Sequence, residues 1–145
     1  MSHSGRVTGV CTSSTRQESK VNRGQGVLKK GFGLAGDSHG GTEKEVSLLA
    51  SESIQKICHE AGISAGPGSF AENITTKGID LISLPIGSKL RVGPAKLKVI
   101  QIGKDPSLAH TYNFQGYSIL PEEGIFCTVI ESGEAKVGDP ISVIE

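Results

Sequence analysis

Tryptophan is absent from the sequence, and two tyrosines and four phenylalanines are all the large rings among 145 residues. A core cannot be organised around stacked aromatics here, so Ile, Leu, Val and Ala must fill it. Long apolar runs are missing as well: none approaches the roughly 20 residues needed to cross a bilayer. The start, Met1-Ser-His-Ser-Gly-Arg, has neither the apolar stretch nor the cleavage site of a signal peptide. A cytoplasmic protein with no membrane contact is expected. Net charge is also lacking, because fifteen Lys and Arg offset fifteen Asp and Glu, and no global field would recruit nucleic acid. Cysteine is scarce: Cys11, Cys58 and Cys127 are odd in number and never spaced CxxC. That pattern argues against a disulfide framework and against a cysteine zinc site, no metal ligand is assigned, and the three thiols read as apolar core residues.

What is present points to a β protein. The length suits a single domain over residues 1–145. Arg6–Cys11, Val46–Ala50, Phe70–Thr76, Ser88–Val92, Lys96–Ile102, Gly124–Glu131 and Pro140–Ile144 are short apolar or alternating runs. Lys77-Gly78, Gly93-Pro94, Ser132-Gly133 and Gly138-Asp139 divide the later ones as turn signals. One helix is expected: Ser51 stands as N-cap, Ile54, Ile57, Cys58 and Ala61 form one apolar stripe, and Gly62 stops it. Thr12–Gly26 reads as polar loop. Gly31–Gly41, with five glycines, reads as a sharp turn that neither helix nor central strand would tolerate. Lys104–Glu123 is a long aperiodic segment, of the kind that often carries function or a short helical turn. Many short strands with one or two short helices predict a mainly β fold, a β-barrel in preference to a sandwich.

Standard catalytic signatures are missing. HExxH, GxSxG and the P-loop do not occur, and Gly31-Phe-Gly-Leu-Ala-Gly opens onto Asp37-Ser-His-Gly-Gly instead of a helix, which argues against a dinucleotide fold. The polar residues left at strand and loop ends are Asp37, His39, Glu72, Asn73, Gln101, Lys104 and Asp105. Lys104 can give a point charge to a phosphate, and Asn73 can donate and accept toward a ring edge. Plainer roles compete: Asp37 capping the glycine-rich turn, Glu72 pairing with a lysine, His39 as ordinary loop.

Gly36-Asp37-Ser38-His39, Phe70-Ala71-Glu72-Asn73-Ile74, Ile86-Gly87, Gln101-Ile102-Gly103-Lys104, Glu123-Gly124-Ile125-Phe126 and Val137-Gly138-Asp139 occur in order. This series resembles the MOSC family, named for the C-terminal domain of molybdenum-cofactor sulfurases, from about residue 6 onward. The resemblance implies a MOSC-like barrel of the pyruvate-kinase type and a pocket for the molybdopterin cofactor. Asp37, His39, Glu72, Asn73, Gln101 and Lys104 would be cofactor-binding, with no catalytic residue assigned. The partners implied are a small pterin or oxyanion and other molybdenum-cofactor enzymes, with sulfur transfer or molybdenum-dependent reduction of N-oxygenated compounds as the activity. In similar proteins a cysteine closely follows the Gly-Lys pair; here Pro106 stands in its place. The alternative is therefore a non-catalytic pterin- or oxyanion-binding module that has lost its sulfur carrier. Pyridoxal phosphate, which sulfurases carry on a separate domain, is a remote third reading.

Overall fold

Strand β1 (Ser4–Thr12) starts the barrel, and the computed structural model describes residues 3–15, 18–103 and 112–144. Three small strands follow, β2 (Val21–Asn22), β3 (Gln25–Lys29) and β4 (Gly33–Leu34), and then β5 (Val46–Ala50). Helix α1 (Ser51–Ala61) leads to β6 (Ile74–Lys77), β7 (Lys89–Val92) and β8 (Ala95–Ile102). After α2 (Leu120–Glu123) come β9 (Ile125–Glu131), β10 (Gly133–Lys136) and β11 (Pro140–Ile144).

Seven strands close on themselves in the order β1-β11-β7-β8-β9-β5-β6, with β6 returning to β1. Closure follows from two register sets on β1: Arg6 faces Pro140 on β11 and Lys77 on β6. All neighbours are antiparallel except β5 and β6, which run parallel because α1 carries the chain across between them. A second sheet, β10-β3-β4, packs beside the barrel. The period-two pattern fills the interior: Val7, Val10, Leu48, Ile74, Leu90, Val92, Leu97, Val99, Ile125 and Ile141 are all buried in one cluster. Strand β5 is buried on both faces, which is why its sequence is apolar but for Ser47. Leu48 joins the barrel interior, whereas Leu49 joins an outer cluster with Ile54, Phe70, Ile119, Leu120 and Phe126.

Helix α1 covers that outer cluster through the expected stripe, with Ile54 3% exposed and Ile57 and Cys58 packed against it. Gly62 ends it at φ 67°, and its N–H bonds the Cys58 carbonyl. Ile54→Ala should cost about 2–5 kcal/mol, the cost of emptying a buried aliphatic site. Urea denaturation checks it, and a change below 1 kcal/mol would mean that the helix does not seal the wall.

Several sequence expectations need correction. Ser51 is the first helical residue; Ala50 is the N-cap, without a side-chain bond. The Phe70–Thr76 run is a strand only from Ile74, because the chain turns at 67–70 and the Ala71 that follows takes φ 68°. Polar Thr12–Gly26 contributes β2 and the start of β3, and glycine-rich Gly31–Gly41 contributes β4. Such two-residue strands obey no periodicity and exist only through their partners. Residues 104–111, Lys104, Asp105 and Pro106 among them, lie outside the described residues; α2 lies at the end of the long segment.

Candidate functional site

β1 runs out at Thr12, and the chain that follows meets the glycine-rich turn. The Ser38 N–H donates to the Ser13 carbonyl at 2.9 Å, and the Ser13 N–H donates to Asp37 Oδ1 at 3.1 Å. Into this junction Lys20 sends its ammonium. Nζ lies 2.7 Å from Asp37 Oδ1, 3.0 Å from Ser13 Oγ and 3.3 Å from His39 Nδ1. The Lys20 and Asp37 side chains are 1% and 0% exposed, so this is a buried ion pair. Asp37 Oδ2 also accepts the His39 N–H at 3.1 Å. Burial alone would raise the Asp37 carboxyl, but its contacts with His39 and Lys20 outweigh that and hold it well below the usual carboxylate range. The turn-capping role is thus present, and Lys20 is added to it. In the tautomer that accepts from Lys20, His39 keeps its other ring nitrogen as a donor.

The second cluster joins the first through the backbone. Lys20 N–H donates to the Gly68 carbonyl at 2.8 Å, and Gly68 N–H donates to Glu72 Oε2 at 2.9 Å. Glu72 Oε2 further accepts the Thr75 hydroxyl at 2.7 Å, and Oε1 accepts the Phe70 N–H at 3.2 Å. No lysine is among these partners: the carboxylate holds the turn 68–72 from inside. Burial pushes the Glu72 carboxyl up, against the pull of those donors. Gly68 is required there, since a Cβ would come within 2.2 Å of the Lys20 carbonyl. Asn73 stitches three elements together. Its Oδ1 accepts the Ser47 N–H at 3.0 Å, and its Nδ2 donates to the Cys11 carbonyl at 3.2 Å. Asp37, Glu72 and Asn73 are therefore buried with their polar groups engaged inside the protein.

What faces outward is different. His39, with Thr42, Glu43 and Lys44, lines an open cleft of about 330 Å³. Lys44 Nζ also stands 5.3 Å from the centre of the Phe126 ring. Gln101, on β8, is the cross-strand partner of Phe126, and its side chain bends to donate to the Gly103 carbonyl at 2.7 Å. Phe70 meets Phe114 edge-to-face at 5.5 Å, and Tyr112 bonds Ser19 Oγ at 2.7 Å. The residues flanking 104–111, Gly103 and Tyr112, are thus anchored to this region of the protein. Asp37 and His39 come together, Glu72 and Asn73 lie side by side in the second cluster, and Gln101 on β8 reaches the region through its cross-strand partner Phe126, the ring beside Lys44. Lys20, Ser13 and Lys44 were missed from sequence, since nothing local marks a loop lysine as buried.

A thiol donor does not fit. Cys11 and Cys127 are 0% exposed. Burial, aided by the Glu72 charge, pushes the Cys11 thiol up to about 12, and burial alone pushes Cys127 up as well. Cys58 sits on α1, half-buried, with Sγ 4.0 Å from the Ala65 carbonyl. Among the described residues no three His, Cys, Asp or Glu side chains converge on a metal position. The His39–Lys44 cleft offers an anionic group a ring N–H and an ammonium, with the Glu43 carboxylate beside them. Among the described residues, no helix is long and apolar enough to cross a membrane.

Solved structures share this architecture. The YuaD protein from Bacillus subtilis superposes with TM-score 0.76 at 20% identity, over 97% of this chain and 95% of that one. YiiM from Geobacillus stearothermophilus gives 0.71 at 18%, over 97% and 73%, and YiiM from Escherichia coli gives 0.69 at 22%, over 99% and 71%. Identities this low carry the fold alone. No curated protein matches by sequence. The family model of the MOSC domain matches residues 35–142, well over half of the chain and including the Asp37, Glu72–Asn73 and Gln101 positions. With the closed seven-stranded barrel, that match establishes that this chain belongs to the MOSC domain family, which is associated generally with molybdenum-cofactor proteins.

Proposed function

We propose that this protein is a single MOSC-like domain that binds a molybdopterin-type pterin or a related oxyanion and carries no sulfur for it. One observation supports this above others: two of its three cysteines are fully buried, the third is packed on α1, and Pro106 occupies the position where the family resemblance expects a thiol. A sulfur carrier needs an accessible thiolate, and burial of Cys11 and Cys127 removes it. On this reading His39 and Lys44 meet the anionic part of the ligand, and the family resemblance adds Lys104 and Gln101 as further ligand contacts. Asp37, Glu72 and Asn73 act from behind, fixing the loops that hold His39 and Phe70. The cofactor, when bound, would supply the molybdenum redox chemistry. The ligand's onward partners would be molybdenum-cofactor enzymes. Sulfur transfer and N-oxide reduction are rival activities that no residue position favours.

The test is expression in cells that make molybdopterin, followed by measurement of pterin and molybdenum in the purified protein. Pterin should copurify. Lys44→Ala and Lys104→Ala should each weaken its retention by about 1.5–3 kcal/mol, the range for charged hydrogen bonds. Intact-mass measurement after exposure to a persulfide donor should show no gain of sulfur. Protein free of pterin would sink the binding reading. A donor-dependent sulfur on Cys11, Cys58 or Cys127 would return the protein to the sulfur carriers.

A further inference from the structure

Positive charge is unevenly placed on this neutral chain. Five strands adjacent around the barrel, β6, β1, β11, β7 and β8, contain Lys77, Arg6, Lys89, Arg91, Lys96 and Lys98 and not one Asp or Glu. Only Lys96 among them has an ion-pair partner within the described residues, Glu131 on β9. Arg6 and Lys77 are direct cross-strand partners, both exposed. Like charges opposite one another destabilise a strand pair, so an uncompensated pair is unfavourable unless an anion sits between them.

A cleft lies at that pair. It measures about 550 Å³, opens between β1, the end of β6 and the β10–β11 turn, and is lined by Arg6, Thr8, Lys77, Gly78, Val137 and Gly138 among others, with no carboxylate. The Glu52 carboxylate accepts the Gly78 N–H at 2.8 Å and lines the neighbouring cleft with Asp80, and Asp139, which follows Gly138, gives its backbone carbonyl to the Val7 N–H at 2.9 Å. Thr8 is the residue where the β1–β6 register slips, and its Oγ1 is buried without a hydrogen-bond partner among the described residues. Leaving a hydroxyl so costs free energy. A rotation about χ1, exchanging hydroxyl and methyl, can turn the donor toward the cleft.

We propose that this cleft binds a tetrahedral oxyanion, a phosphate group held by the Arg6 guanidinium and the Lys77 ammonium with the Thr8 hydroxyl as third donor. The site is separate from the His39–Lys44 cleft and does not depend on the pterin reading. Arg6 offers a planar fork for two oxygens, Lys77 a point charge, and the acid-free wall raises the local anion concentration.

Titration of the full chain with inorganic phosphate, and separately with glycerol 3-phosphate, followed by amide NMR, tests the idea. Saturable shifts are expected at Thr8, Gly78 and Gly138. Tighter binding of the ester would assign an esterified ligand, and equal binding a free ion. Arg6→Gln and Lys77→Gln should each weaken binding about tenfold or more, while the exposed wall variant Lys98→Gln should change it less than about twofold. In anion-free buffer Arg6→Gln should raise the melting temperature by relieving repulsion, and phosphate should then raise that of the wild type and of Lys98→Gln but not that of Arg6→Gln. Shifts that never saturate, that centre on His39 and Lys44, or that weaken equally in Lys98→Gln would overturn the proposal.

Discussion

Lys20→Met is expected to destabilise the protein by about 3–5 kcal/mol, because it leaves the Asp37 carboxylate buried without its cation. Exposure decides the size of the effect: a solvent-facing pair would be worth about 1 kcal/mol or less, but these side chains are 1% and 0% exposed. Replacing both partners, Lys20→Met with Asp37→Leu, should recover much of the loss, since the desolvated charges go together. The pH dependence follows from the same pair. The folded-state Asp37 carboxyl lies below its ordinary value of 3.8, so the unfolded chain binds its proton more readily. Its stabilisation is fully present above that value and is lost as pH falls below it. In Lys20→Met burial is less opposed, so the acid-induced loss should begin at higher pH. Urea denaturation between pH 3 and 7 measures all of this. A single variant within 1 kcal/mol of wild type at pH 7 would show that the pair does not hold the loops.

Glu72→Ala should cost about 3 kcal/mol or more, because it strands the Gly68 and Phe70 N–H groups and the Thr75 hydroxyl in a dry interior. Glu72→Gln is the sharper variant. Both carboxylate oxygens accept, so an amide must set an NH₂ against a backbone N–H, at a cost of about 1–3 kcal/mol. The sign of the pH effect is opposite to that at Asp37. Burial raises the folded-state Glu72 carboxyl above 4.5, so its contribution improves as pH falls from neutrality toward that value. Hydrogen exchange should show the Gly68 and Phe70 amides losing protection in both variants while the β8 and β9 amides keep theirs. Unchanged protection at Gly68 would mean that the backbone, with Ala71 at φ 68°, holds this turn without the carboxylate.

These two carboxylates mark the division between what could be read along the chain and what could not. Strands β5, β7, β8, β9 and β11 were legible because a half-buried or fully buried strand imposes a pattern on consecutive residues. Helix α1 was legible because Ile54, Ile57, Cys58 and Ala61 fall on one face and Gly62 closes it. The family was legible because short motifs of fixed order survive in sequence, and they pointed to Asp37, Glu72 and Asn73. The sequence by itself thus determined a barrel of the MOSC type. Only the tertiary structure decided what those residues do. Lys20 meets Asp37 across 17 positions, and Asn73 meets Cys11 across 62, separations that no local period encodes. Strands β2 and β4 likewise form only because partners arrive to bond them. Burial is a property of the assembled protein, and burial turned Asp37, Glu72 and Asn73 inward and left His39 and Lys44 at the cleft.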